Sequence, residues 1–349
     1  MSPKTLKPIG IIFSMLSFLV IEAKEIRAGY FNPISDDKQE KQVILTLGVI
    51  WEGQDLFPHN LKALRQIKED LPWIPMIQFL NPAYFTKPDT NSSQTLDKIK
   101  NTISSKDIIG LHLHPWRGFI QYAGIIFRKQ PTFWGNQLSD QSYSQEWGHE
   151  VPLSIYTEDE ITRMIKRSQY LFSKNGLREP DVFMAGGWMA APHVLEAVRK
   201  CGILYDASAI PIEIMKNRLK HFPLFNWLKN IWGSMDPPYQ PFYSQTEKGS
   251  LGQIVLNGGI PDYNSSKEIV ERFSRILETE HSGRANSFHF HLAIYQETAW
   301  STLRSLMSTV NQLKKYASAN NVQFIDFHKL EDLFPRKRKV FKVKLSSKN

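Results

Sequence analysis

Cysteine is nearly absent: Cys201 is the only one in 349 residues. No internal disulfide can form, so stability must come from an ordinary core. A thiolate metal cluster is equally excluded, and any metal site must draw on His, Asp or Glu. Gly-rich phosphate loops are missing too, since Gly186-Gly187 and Gly258-Gly259 lack the spacing of either nucleotide fingerprint. There is no Ser nucleophile elbow, which removes the simple esterase reading. No apolar run reaches the roughly 20 residues that span a bilayer; the longest, Ile9 to Ile21, is too short.

Charge is unevenly placed. The chain carries a formal +9, of which +2 falls in residues 1–28 and +7 after Phe334, leaving none for 29–334. The domain itself therefore shows no basic face, and nucleic acid is not expected as a partner. Lys4 and Lys7, the apolar run and then Ala23 and Ala28 form the pattern of a secretory signal over 1–28, so a secreted or periplasmic location is expected. A retained N-terminal anchor is the alternative. Residues 335–349 form a basic tail, either a solvated end or a contact for an anionic surface.

What the sequence does contain is a regular alternation from residue 42 to 334. Apolar strand-like runs at 43–51, 76–80, 108–114, 181–184, 204–207, 253–256, 287–292 and 322–327 are separated by helical patterns at 60–70, 96–104, 157–175, 192–201, 266–278 and 298–319. Thr157 and Glu160 match a capping box. The alternation predicts an α/β fold, a distorted (β/α) barrel of about seven strands, in one domain over 42–334. Two stretches break the rhythm, 115–155 and 210–250. Both are expected to be irregular loops.

Sites in such folds form at the carboxyl ends of strands. Residues 109–116 read Ile-Gly-Leu-His-Leu-His-Pro-Trp, and His112 and His114 at period two point the same way from one strand. A second pair, His289 and His291, has the same spacing. Glu52 follows the first strand, Gly186-Gly187-Trp188 the fourth and Asp206-Ala207-Ser208 the fifth. Trp116, Trp147 and Trp188 border these motifs, where indoles stack on sugars or pack in a core. His149 and Glu297 are weaker candidates: a loop ligand or plain loop structure, and a site acid or a helix cap.

The 110–116 segment, the Phe183-Met184-Ala185-Gly186-Gly187-Trp188 segment, the 202–208 segment and the late histidines together resemble the polysaccharide deacetylase-like (NodB-homology, carbohydrate esterase family 4) superfamily. The resemblance implies a distorted (β/α) barrel, a divalent metal, commonly zinc, and removal of N-acetyl groups from an amino-sugar glycan. It implies that His112 and His114 ligate the metal and that His289 or His291 is the general acid. By the same resemblance Trp116, Trp188 and Asp206 would meet the carbohydrate. Three departures stand out. The first strand reads Thr46-Leu47-Gly48-Val49-Ile50 where the family places aspartates, which leaves Glu52 as the nearest substitute. Met184 stands where the family commonly has arginine, and the histidines are more closely spaced than in many members. The alternative expectation is a relative that binds glycan without turning it over.

Overall fold

The computed structural model describes residues 41–88, 90–136, 148–233, 240–279, 287–334 and 340–341. Compact units divide between Asp37 and Lys38, and everything described belongs to the second. The segment 1–28, Trp147 and nearly all of the basic tail lie outside the described residues.

Strands and helices alternate as β1 (Lys41–Ile50), α1 (Pro58–Asp70), β2 (Met76–Leu80), α2 (Ser92–Lys100), β3 (Ile108–Leu113), α3 (Arg117–Tyr122), α4 (Glu158–Lys174), β4 (Val182–Ala185), α5 (Pro192–Lys200) and β5 (Tyr205–Asp206). Then follow α6 (Ile212–Leu219), α7 (Pro223–Trp232), β6 (Phe242–Thr246), β7 (Gly249–Gln253), α8 (Ser266–Thr279), β8 (Ser287–Tyr295), α9 (Ala299–Ala319), β9 (Val322–Phe324) and β10 (Val340–Phe341). They build one curled sheet in the order β10-β6-β7-β5-β4-β3-β2-β1-β8, with β9 beside the start of β1. Every pairing is parallel except the β6–β7 hairpin.

The curl nearly closes on itself. After β7 the chain continues alongside β5, with Ile254 N donating to Asp206 O (2.7 Å) and Leu256 N to Ala209 O (2.9 Å). It then meets β8: Gly258 N donates to His291 O (2.9 Å) and Ala293 N to Gly259 O (3.0 Å). The expected (β/α) barrel is therefore present, with the strand expected at 253–256 mostly replaced by an extended stretch that carries the seam.

Residues 43–50 are all buried, as expected of a strand covered on both faces. Its inner face carries Thr46, Gly48 and Ile50. Gly48 is needed there: a Cβ would lie 2.8 Å from His291 Nε2 and 3.1 Å from the Phe79 ring. Phe79 fills the barrel between Gly48 and Gly110, whose added Cβ would meet the same ring at 2.6 Å. An aspartate at this point of β1 would compete with that packing. Outside, α1 and α8 pack on α9, and α4 packs on α5.

The two stretches expected to be irregular contain more order than their composition announced. Residues 115–155 include α3, and 210–250 includes α6, α7 and β6. The apolar positions Leu224, Leu228 and Trp232 recur at helical spacing along α7 and are buried. The many aromatics on both faces of α7 hid that period.

Candidate metal centre and cavity

Glu52 stands two residues beyond β1, and its backbone is fixed from both sides. Its N–H donates to Glu297 Oε1 (3.1 Å), while its carbonyl accepts from Trp116 Nε1 (2.7 Å) and Asn81 Nδ2 (3.1 Å). Three elements of the barrel rim thus aim one carboxylate inward.

That carboxylate meets the histidine pair. Glu52 Oε2 lies 2.8 Å from His114 Nε2, and Oε1 lies 3.5 Å from His112 Nε2. The two rings stand nearly perpendicular, centroids 4.7 Å apart. Each ring is held by its other nitrogen: His112 Nδ1 donates to Met184 O (3.2 Å) and His114 Nδ1 to His149 O (2.5 Å). Those bonds select the tautomer that leaves Nε2 as a lone-pair donor. Both Nε2 atoms are buried and lack a hydrogen bond of good geometry. Met184 serves through its carbonyl, a role that any side chain at that position allows.

Burial alone would raise the Glu52 pKa, but His114 and His112 outweigh it and hold the carboxyl well below the usual range. Burial lowers His112 against the opposing pull of Glu52. An ionised carboxylate beside a neutral imidazole is the state a cation requires of its ligands. One donor atom from each of Glu52, His112 and His114 lies within 4.8 Å of the other two. Two imidazoles and a carboxylate, each oriented by a neighbour, fit a divalent metal with a further position open.

Close packing makes the pair possible. A Cβ on Gly186 would sit 2.5 Å from the His114 ring, so only glycine lets that ring lie against the β4 end. Two residues on, Trp188 holds φ 57°, a left-handed conformation that indole side chains seldom adopt.

The metal-ligand candidates open into a cavity of about 250 Å³. Its apolar wall is Phe133, Trp134, Trp188, Leu219 and Leu224, the last two from α6 and α7. Opposite stand Tyr263 and Tyr295, whose hydroxyls are 2.9 Å apart, and Glu297. Glu297 Oε1 accepts from Tyr84 OH (2.9 Å) as well as from Glu52 N, while its buried Oε2 has no partner. Burial, with Glu52 adding to it, pushes the Glu297 carboxyl up to about 8. His149 also borders the cavity, but it reaches His114 through its carbonyl, and its ring stacks on Trp116 at 4.8 Å.

Of the residues singled out in the sequence, Glu52, His112, His114, Gly187, Trp188, His149 and Glu297 meet at this cavity. Trp116 is buried behind it, its indole committed to Glu52 O and the His149 ring. His289 and His291 do not line it. They lie six and four residues before the end of β8, roughly 20 and 13 Å down the barrel at strand rise. There His289 Nε2 bonds Thr46 Oγ1 (2.9 Å), and His291 packs against Gly48 and Phe79. The strand end had been expected at 292, and β8 runs three residues further. Tyr295, on the same face as the histidines by period two, therefore takes the rim position.

Asp206 is also away from the cavity. Its Oδ1 accepts from Ser208 Oγ (2.6 Å), and Ser208 Oγ in turn accepts from Ala185 N (2.8 Å), tying β5 to β4. Burial pushes this carboxyl up to about 7. Gln54 and Tyr263 stand in strand-end motifs of the sequence, whereas Phe133, Trp134, Leu219, Leu224 and Tyr295 escape a sequence reading. Only Tyr295 carried a usable signal, the continued alternation of 289, 291, 293 and 295.

No protein-family model matches the chain, and no curated protein matches it. Among solved structures it is similar to a Mycobacterium smegmatis chain described as a polysaccharide deacetylase, with 11% identity and TM-score 0.44 over 85% of this chain and 97% of that one. It is similar to a 4-alpha-glucanotransferase from Thermococcus litoralis, with 12% identity and TM-score 0.48 over 88% of this chain and 43% of that one. A family 4 carbohydrate esterase from Streptomyces lividans gives 8% identity and TM-score 0.37 over 80% and 89%. These likenesses concern the course of the chain alone.

Proposed function

We propose that this protein is a metal-dependent hydrolase that removes N-acetyl groups from an amino-sugar glycan, with zinc held by Glu52, His112 and His114. The observation that carries the reading is the convergence of one carboxylate on two Nε2 atoms whose partner nitrogens are fixed to backbone carbonyls. The borderline-soft imidazole pair favours zinc over magnesium or calcium. A bound zinc would supply Lewis-acid polarisation of the acyl carbonyl and a water of lowered pKa. Glu297, with Oε2 unengaged at the cavity wall, is placed to exchange a proton with the departing nitrogen. Trp188, Phe133 and Trp134 offer faces for a sugar ring.

A second reading has its own support. The inner face of β1 carries Gly48 where the resembled family has an acid, and both Glu52 oxygens face imidazoles. A site that binds glycan and metal without turnover would look the same at these positions. The test measures zinc content of the full chain and of a His112→Ala, His114→Ala variant, together with acetate release from an N-acetylglucosamine oligomer. The hydrolase reading expects about one zinc in the wild type, little in the variant, and acetate from the wild type only. Zinc without acetate supports the binding reading, and equal near-zero zinc in both proteins ends both.

A further inference from the structure

The α6–α7 hairpin has two faces with different chemistry. Its inner face belongs to the cavity: Leu219 and Leu224 line the wall, Leu224 N donates to Phe133 O (3.2 Å), and Trp232 Nε1 donates to Trp188 O (3.0 Å). Its outer face is basic and aromatic. Residues 212–232 contain Lys216, Arg218, Lys220 and Lys229 against Glu213 alone, a local excess of three positive charges in a 29–334 region whose total is zero. Lys216, Lys220, His221 and Lys229 are exposed on this face, while the Arg218 guanidinium, also exposed, lies 5.8 Å from the ring of Tyr263 in the cavity wall. Beside them Phe222 is 37% and Trp134 39% exposed, with ring centroids 5.0 Å apart.

The arrangement carries a small cost in water that a covering surface would remove. Lys216 and Lys220 stand at i and i+4, a like-charge pair that weakens a short helix by about 0.2–0.5 kcal/mol. The charge of Glu213 acts on Arg272 of α8. Two large rings are left in water at the same place.

We propose that the outer face of the α6–α7 hairpin docks on an anionic phospholipid surface. Cations beside exposed aromatics are the composition of an element that lies in the headgroup region, lysines on the phosphates and rings at the acyl boundary. The charge is complementary to anionic lipid, and the rings suit the acyl boundary beside it. The contact is peripheral and sets the cavity mouth beside the lipid surface, because Trp134 is exposed at the patch and also lines the cavity. It does not depend on the metal or on hydrolysis.

The test uses the full chain with phosphatidylcholine vesicles and with vesicles of phosphatidylcholine and phosphatidylglycerol at 7:3. Binding is read by co-sedimentation, and backbone hydrogen exchange is followed across 212–232. The second readout separates the hairpin from any contribution of the apolar 9–21 segment or the basic tail. We expect protection of 212–232 on the anionic vesicles only, reversed by salt. A Lys216→Glu, Lys220→Glu variant should partition about 30-fold more weakly or worse. A Lys62→Glu, Arg65→Glu variant on α1, with the same charge change, should partition like the wild type. If the lysine variant misfolds by circular dichroism, Phe222→Ser with the wild-type exchange data decides instead. Unchanged exchange at 212–232 in vesicle-bound protein, no preference for anionic lipid, or equal loss in the α1 variant would overturn the proposal. So would protection of the same residues by soluble polygalacturonate at matched charge, which would make the partner an acidic polymer.

Discussion

At the scale of single residues, two glycines and two histidines decide most of what can be measured. Gly186→Ala would push a methyl group into the buried His114 ring, so metal affinity should fall at least tenfold and the metal-free protein should lose about 1–3 kcal/mol of stability as well. Titration with zinc against a competing chelator reads the affinity directly. Gly48→Ala meets the packed His291 and Phe79 rings instead, and its cost should appear as stability, about 1–3 kcal/mol in a urea titration. Burial keeps both interior imidazoles neutral, His291 down to about 3 and His289 well below its ordinary value. In the unfolded chain they titrate near 6.5, so below that pH the unfolded state binds protons that the folded state refuses. Stability present at neutral pH should therefore be lost as pH falls from 6.5 toward 3, by about 1.4 kcal/mol per pH unit for each imidazole. His291→Leu should flatten that slope by one proton's worth in a series of urea titrations. The histidines at 112 and 114 could be picked out from their spacing, and the carboxylate at 52 from its place after the first strand together with the resemblance. The displaced role of His289 and His291 could not, because it turns on where β8 ends, and apolar strands carry weak end signals.

At the scale of elements, α4 shows how far local chemistry reaches. The Thr157 side chain caps Glu160 N, and Glu160 returns to Thr157 N (2.8 Å), as the spacing of the two residues announced. Glu160 also takes both Arg128 nitrogens, at 2.9 and 3.1 Å, which fastens the segment after α3 to the helix start. Thr157→Ala should cost about 1 kcal/mol of stability, and zinc affinity should stay as in the wild type. Calorimetry with and without metal separates the two. The cap was visible because it is written in four consecutive residues. The helices α6 and α7 were not, since Pro211 and Pro223 at their starts and aromatics on both faces mask the helical period. The two-residue β5 likewise depends on neighbours distant in sequence for its pairing.

At the scale of the whole molecule, a ligand that binds only the folded chain adds stability by mass action. Zinc at 100 times its dissociation constant should add about 2.7 kcal/mol to the unfolding free energy, and the His112→Ala, His114→Ala variant should show none of it. A thermal series at rising zinc concentration checks both. The barrel itself was legible from the alternation of strands and helices, whereas its closure was not. β1 and β8 are joined along nine paired positions, whereas the other edge of β8 has one backbone bridge at Gly259 and Leu292, supplemented by the Asn257 and Gln240 side chains bonding the backbone of His289 and His291. A hoop gives way at its thinnest rivet. Breathing of the folded state should begin at Gly258 and Gly259, so the amides of Gly258 and Ala293 should trade their protons with solvent sooner than those of β1. The buried, unpartnered nitrogens of His291 lie beside that joint, so an opening there would expose them to solvent.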